Sequence, residues 1–527
     1  MALLRYTASA DTTIVNAYQP NLITRGTGAN AGMADVLEVF SIYGRQATGS
    51  QELSRILVQF PTTDISTDRS NSVVPASGSV SFYLRLFSAP SSKTVPRDFK
   101  LVISAVSQSW QEGIGLDLEG YKDLTYGNTG ANWMSASNAA AWTKVGGDYL
   151  TSSTDTFVEQ TFSTGLEDVE VNITPIVETW LAGTQTNYGL EILLSSSYEA
   201  SASQAYVDNS TGSALYNPNG ATISYYTKRF FARGSQYFFK RPVIEARWND
   251  VTRDDRGDFM LSSSRAPAVD NLNTLYFYNI VRGRLTNLPN LGVDNRVYVS
   301  MFSGNAGNTA PSGAAVDLSA DNSGFVRAAA LTVVTGGLIS TGIYSASFAM
   351  TAATTAVSPL YDVWFTGSDM SLATTAEIQY FTGSFKPQTL STGLTLEPPR
   401  YVINITNLKS TYDSLETARL RLYTRNKNWN PTIYTVATTD PPATMIISAS
   451  YRVYRVLDGY EAVRYGTGSD FHTGLSYDVS GNYFDFDMSL LEPGYMYAFK
   501  FAFYDEQVKS WQEQNTTFKF KVENNNP

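Results

Sequence analysis

The sequence has no cysteine among its 527 residues. No disulfide can staple the fold, and no thiolate can hold a metal or attack a substrate. Histidine is nearly as scarce. His472, in "GSDFHTGLSYD", stands alone, so a Ser–His–Asp triad, a histidine metal site or a proton relay would have to rest on it. We read it as a turn or strand-edge residue. Charge is sparse too: 16% of residues are charged, the net charge is −10 and no Lys/Arg run occurs. Binding to nucleic acid by phosphate neutralisation is therefore not expected. No apolar run approaches the ~20 residues of a membrane helix, so no membrane insertion is expected. The opening "MALLRYTASADTTIVNAY" lacks the basic start and apolar core of a secretory signal. The expectation is folding in a bacterial cytoplasm and use outside after release by another route, such as lysis.

What is present suits strands and turns. The chain carries 38 Gly, 33 Tyr and 27 Phe, and Tyr, Phe, Thr and Val fit a pleated surface. Alternation with period 2 marks "SRILVQF" (Ser54–Phe60), "SVSFYLRLF" (Ser79–Phe87), "FKLVISAV" (Phe99–Val106), "GLEILLSS" (Gly189–Ser196) and "RPVIEARW" (Arg241–Trp248) as strands. One helix is predicted over Ile173–Gly183. Pro175 falls in its first turn, Ile176, Val177 and Trp180 share a face, and Gly183 stops it. The polar, aperiodic "NDVTRDDRGDF" (Asn249–Phe259) reads as a boundary, and Pro398–Pro399 as a second one. This gives three units joined end to end, at 1–250, 260–396 and 400–527. In the last, Tyr497 follows a Leu-x-Pro-Gly turn and opens an alternating strand. That order fits the tyrosine corner of an immunoglobulin-like sandwich. The small-residue stretch from Gly304 to Ala315 reads as an exposed loop.

Candidate sites are few. "SWQEGIGLDLEGYKDLTYGNTGANWMSASNAAAW" (Ser109–Trp142) sets Trp110, Trp133 and Trp142 among acids and glycines. It is a sugar-stacking surface, a catalytic loop or a loop pinned to a scaffold. Paired carboxylates suffice for glycosidase chemistry, and Asp117, Glu119 and Asp123 are the candidates. Loop acids in an acidic protein are more simply solvated. "RGD" at Arg256–Asp258 would need an exposed loop to act in adhesion. Asn172, Asn404 and Asn515 open formal glycosylation triplets, which carry no weight without a secretory signal. "GTGAN" (Gly26–Asn30) lacks the lysine and helix of a phosphate loop, and "STDTFVEQ" (Ser153–Gln160) lacks calcium-loop spacing. No catalytic, cofactor-binding or metal-ligating residue is assigned.

The order of features over about residues 10–248 resembles the DNRLRE-type jelly-roll family, relatives of carbohydrate-binding modules. It is carried by "ADTTIVNA", "GANAGMADVLEV", "SRILVQFP", "FYLRLF", "SWQEG", "TYGNTGANW", "NITPIVETWLAGTQTNYGLEI" and "KRPVIEARW". The resemblance implies structural tryptophans: Trp110 and Trp180 as core anchors, Trp133 pinning the long loop. It allows glycan binding without assigning it to a residue. "TGIYSASFAM", "LYDVWFTG" and "YDVSGNYFDFDMSLLEPGYMYAFKFAF" resemble stretches of large virion structural proteins of tailed phages. The expected protein is all-β, an N-terminal jelly-roll sandwich followed by two immunoglobulin-like or fibronectin-like sandwiches. Its expected role is non-enzymatic assembly in a neck, tail or baseplate. It would form a symmetric homo-oligomeric ring beside other virion proteins. A host-surface glycan-binding adhesin is the main rival, and a glycan depolymerase comes third.

Overall fold

The computed structural model describes residues 2–524 apart from 19–24, 45–50, 92–93, 117–129, 154, 202–216, 292–295, 305–310, 321–330, 352–358, 368–375, 390–399 and 430–442. The chain is all-β, as the alternation predicts. Eight strands make the N-terminal sandwich: β1 (Leu3–Thr7), β2 (Gln51–Gln59), β3 (Val80–Leu86), β4 (Phe99–Ala105), β5 (Phe157–Phe162), β6 (Val169–Asn172), β7 (Leu190–Leu194) and β8 (Val243–Trp248). They form two sheets, ordered β1-β8-β3-β6 and β2-β7-β4-β5. This strand order is that of a jelly roll. Strands Ala10–Val15, Val36–Tyr43 and Tyr225–Phe231 extend the second sheet. Inward residues such as Phe82, Leu84, Ile103 and Ile244 fill the core between the sheets.

Two helices flank this core. α1 spans Thr62–Ser70 and α2 spans Thr174–Leu181. α2 is the helix expected from the pattern, with Ile176, Val177 and Trp180 buried and Gly183 at φ +71° just beyond it. α1 has no such signature, since only Ile65 of its nine residues is buried. The Arg69 guanidinium grips both Glu178 oxygens, at 2.9 and 2.7 Å, and ties the helices together.

The middle sandwich contains β9 (Asn273–Tyr278), β10 (Val297–Gly304), β11 (Val334–Ser340), β12 (Ile343–Phe348), β13 (Leu360–Gly367) and β14 (Ala376–Phe385). They form one continuous sheet ordered β9-β12-β11-β10-β13-β14. It folds over at β11, whose first residues pair with β10 and whose later ones pair with β12. Phe259, Phe277, Tyr344 and Trp364 fill its core. Part of the expected Gly304–Ala315 loop is paired, because Pro311–Ser312 lies against Ser303–Gly304.

The C-terminal sandwich contains β15 (Tyr401–Ile405), β16 (Thr411–Asp413), β17 (Thr417–Asn426), β18 (Ala449–Arg455), β19 (Glu461–Val463), β20 (Ser476–Asp478), β21 (Gly481–Asp487), β22 (Met496–Asp505) and β23 (Phe518–Glu523). Its sheets run β15-β17-β21-β20 and β16-β23-β22-β18-β19, with β16 parallel to β23. That is immunoglobulin strand order. Tyr497, buried on β22, donates its hydroxyl to the Glu492 carbonyl at 3.0 Å and completes the tyrosine corner.

The three units are not joined end to end. The C-terminal sandwich lies on the outer face of the β1-β8-β3-β6 sheet, and Leu3 of β1 enters its core. The expected boundary segment is also built in. Tyr477 of β20 accepts from the Asp254 N–H, donates to the Thr252 carbonyl and donates its hydroxyl to Asp255 at 2.7 Å. A polar, aperiodic segment looks like a linker when its partners lie more than 200 residues away.

Candidate functional site

The described parts of the Trp-rich stretch, residues 109–116 and 130–142, cover the outer face of the β2-β7-β4-β5 sheet. Trp133 and Trp142 are buried there with Ile14, Leu53, Leu57 and Val106. Trp180 lies in the main core. Trp110 departs from expectation: it sits half-buried at the rim, where its indole N–H can still reach the Tyr188 carbonyl at 2.7 Å. Glu112 of the same stretch takes the Arg233 guanidinium on both oxygens, at 2.8 and 2.9 Å. Asp117, Glu119 and Asp123 lie outside the described residues.

Beneath this cover lies a buried ion group. Arg55 donates to the Gly146 carbonyl at 2.9 Å, to Glu191 at 3.3 Å and to Glu199 at 3.0 Å. Burial pushes the Glu191 carboxyl up to about 8, with Arg55 pulling the other way. Gly147 (φ +111°) passes so close that a Cβ would stand 2.2 Å from a Glu191 oxygen. Only glycine fits both that backbone and that approach.

The opposite outer face, on β1-β8-β3-β6, carries a second ion group. Arg5, Glu245 and Tyr83 align across three strands, and Glu170 pairs with Arg85 two residues along the sheet. Glu245 accepts from Arg5 at 2.9 Å, from Arg247 at 2.5 Å and from Arg85 at 3.4 Å. Arg247 also reaches Glu170 at 2.7 Å. The C-terminal sandwich closes the group: Arg5 donates to the Ala462 and Leu490 carbonyls at 2.6 and 3.2 Å, and Arg464 pairs with Glu170. Burial works to raise the Glu245 carboxyl, but Arg85, Arg5 and Arg247 outweigh it and hold it far below the usual carboxylate range.

His472 belongs to this junction. It is 5% exposed, and burial, aided by Arg247, pushes its pKa down to about 4. Among the described residues, its Nδ1 has no hydrogen-bond partner. It lines a cavity of about 350 Å³ to which all three units contribute, through Asp250, Tyr278 and Tyr483 among others. The "RGD" triplet is not an exposed loop. Arg256 is buried and pairs with the buried Asp362 at 2.5 Å, inside the middle sandwich.

Beside the ionic junction opens a cleft of about 590 Å³. Phe87 and Tyr460, one from each sandwich, form part of its wall with ring centroids 6.2 Å apart. Ser88, Arg97, Leu166, Asp168 and Lys240 also line it. Ser88 is held from behind by Lys228, whose buried ammonium donates to its Oγ at 2.7 Å and to the Gly165 carbonyl at 2.9 Å. Burial pushes Lys228 down to about 8 against the pull of Asp168 and Glu167. The Lys240 ammonium lies 5.1 to 5.8 Å from the rings of Phe231, Tyr237 and Tyr460. Tyr237 and the neighbouring Phe238 are 48% and 57% exposed. Among the described residues, an exposed aromatic surface thus lies at "YFFKR" (Tyr237–Arg241), whereas the described tryptophans of the Trp-rich stretch are buried or half-buried. Its signal was three rings and two cations directly preceding the β8 alternation.

Asn172 uses its side chain locally, accepting from the Thr174 N–H at 2.9 Å. Asn404 and Asn515 are exposed. Among the described residues, no group of three His, Cys, Asp or Glu side chains is placed to hold a metal ion, and no helix is long and apolar enough to cross a membrane.

No protein-family model and no curated protein matches the chain. Solved structures similar to it include a chimeric titin Z1Z2 carrying a decorin peptide, at 14% identity and TM-score 0.14, covering 49% of this chain and 91% of that one. Another is the FN1–FN3 domains of chicken CNTN1, at 9% identity and TM-score 0.13, covering 56% and 81%. A third is trypsin-activated alpha-2-macroglobulin from Escherichia coli, at 9% identity and TM-score 0.15, covering 92% and 30%. At such TM-scores the fold assignment rests on the strand orders above.

Proposed function

We propose that the chain is a non-enzymatic virion structural protein of a tailed phage that acts by oligomeric assembly in a neck, tail or baseplate. The observation that carries this reading is the ion group buried between the jelly roll and the C-terminal sandwich. A junction closed by Glu245, Glu170 and four arginines has well-defined geometry, and a subunit in a symmetric ring needs a fixed shape to present the same surfaces to each neighbour. The phage resemblance of Tyr477–Phe503 supports the setting. That stretch forms β20, β21 and the tyrosine corner, so it contributes to the body's rigidity. The rival adhesin reading loses its tryptophan platform, because Trp133 and Trp142 are buried. Antibody labelling of intact phage particles from the source culture tests the proposal. A ring of label at the head–tail junction or tail tip is expected. Absence of the protein from purified particles would refute it.

A further inference from the structure

We propose that Ser88, on the wall of the cleft between the jelly roll and the C-terminal sandwich, is a nucleophile activated by Lys228 and takes an acyl group from a carboxylic ester. Ser88 follows β3 and forms a backbone bridge to Phe230. Its backbone N–H donates to Asp168 at 2.7 Å, and the Lys228 Nζ lies 2.7 Å from its Oγ. A second bond, to the Gly165 carbonyl at 2.9 Å, fixes the amine in place. Nucleophile, base and an orienting group for the base are thus linked by hydrogen bonds. The nucleophile opens onto a cleft of about 590 Å³, within the range of small-ligand sites.

The surroundings of Lys228 suit a base better than a structural strut. The residue is 1% exposed, and among the described residues its hydrogen-bond partners are one hydroxyl and one carbonyl, both neutral. The rings of Phe162 and Phe230 lie 5.6 and 5.1 Å from the amine. The charged groups facing it are Asp168 and Glu167, which favour the ammonium, yet burial outweighs them and pushes its pKa down to about 8. Near neutral pH a fraction of the molecules therefore holds a free amine, able to accept the Ser88 proton. A strut gains nothing from this, because an ammonium so deep without a paired anion is costly. In the transfer, Ser88 Oγ attacks the ester carbonyl carbon as its proton passes to the neutral Lys228 amine. The bond to the leaving alcohol breaks, Lys228 returns the proton to that oxygen, and the acyl group stays on Ser88 as a new ester. Arg97 and Lys240 line the same cleft, and their positive charge favours the anionic tetrahedral stage. Phe87, Leu166 and Tyr460 offer the acyl chain an apolar wall. One acyl group per chain is a modification and not turnover, so the transfer goes beyond the assembly reading and does not rest on it.

The test incubates the full chain with 4-nitrophenyl acetate from neutral to alkaline pH, follows nitrophenolate release and maps acetyl groups by peptide mass spectrometry. Acetylation should fall on Ser88, and its rate should rise with pH and level off above about 8. Ser88→Ala should lose it. Lys228→Met, close to lysine in length and without charge, should slow it about a hundredfold or more, with circular dichroism showing both variants folded. Where Lys228→Met fails to fold, the wild-type pH profile and Ser88→Ala decide. The proposal is overturned if Ser88 is not acetylated, if its rate follows hydroxide concentration with no levelling, or if a folded Lys228→Met protein reacts as fast as wild type. Nitrophenolate release that continues past one equivalent and is abolished in Ser88→Ala supports the Ser88–Lys228 pair. It would count against the non-enzymatic part of the assembly reading and leave the virion location untouched.

Discussion

The two outer faces of the jelly roll solve the same problem by different means. Each carries arginine and glutamate at positions where a solvated sheet would expose them, and each is covered. On β2-β7-β4-β5 the cover is local chain, pinned by Trp133 and Trp142. On β1-β8-β3-β6 the cover is another sandwich, whose Arg464 and backbone carbonyls complete the ion group. The charge balance also differs. Under the loop, one arginine faces two carboxylates and Glu191 is driven toward its neutral form. At the junction, arginines outnumber carboxylates and Glu245 is locked in its charged form. A covered charge is therefore stabilising or costly according to the company it keeps.

Breaking the comparison begins with its largest effects. Trp133→Ala removes a fully buried indole and should cost about 3–5 kcal/mol in chemical denaturation. It should leave the junction between sandwiches closed to limited proteolysis. Glu245→Gln leaves three arginines short of their shared anion and should cost about 3 kcal/mol. Here cleavage near residues 458–466 should rise while the loop face stays protected.

The pH profile separates the faces further. His472 takes up a proton more readily unfolded, at the ordinary imidazole value of 6.5, than folded, at about 4. Its contribution to stability should thus be lost as pH falls from about 6.5 to about 4, by up to about 3 kcal/mol. Glu245, whose folded pKa is depressed, contributes stability above the ordinary carboxylate range and loses it at still lower pH. Glu191 has the opposite sign. With its folded pKa raised to about 8, it weakens the fold as pH rises from about 4.5 toward 8. Glu191→Gln should be the mildest change, within about 1 kcal/mol at pH 5, and should flatten the alkaline limb of stability while sparing the acid limb. Melting curves across pH 2–9 for both glutamate variants check these signs.

Five strands of the jelly roll (β2, β3, β4, β7 and β8), the helix at Thr174–Leu181 and the corner at Tyr497 could be read from the sequence, because periodicity, Pro175 and the Leu-x-Pro-Gly turn are local signals; β1, β5 and β6 were not, and β5 overlaps the Asp-rich "STDTFVEQ". α1 could not, since a helix with Ile65 as its one buried residue has no apolar stripe to detect. Covered charges were equally invisible. "LLRYT" and "VIEARW" alternate like half-solvated strands, and nothing nearby announces that residues 460–490 lie on their charged side. The tryptophans drew attention through rarity, whereas Tyr237, Phe238 and Lys240 did not stand out in a chain with 33 Tyr and 27 Phe.

Native-state hydrogen exchange of the wild type and Glu245→Gln tests the central claim, that jelly roll and C-terminal sandwich form one locked body. The amides of β1, β8 and residues 460–464 should be protected together in the wild type at neutral pH and should lose protection together in the variant. Rapid exchange at residues 460–464 in the wild type, with β8 still protected, would show two sandwiches moving independently and contradict it.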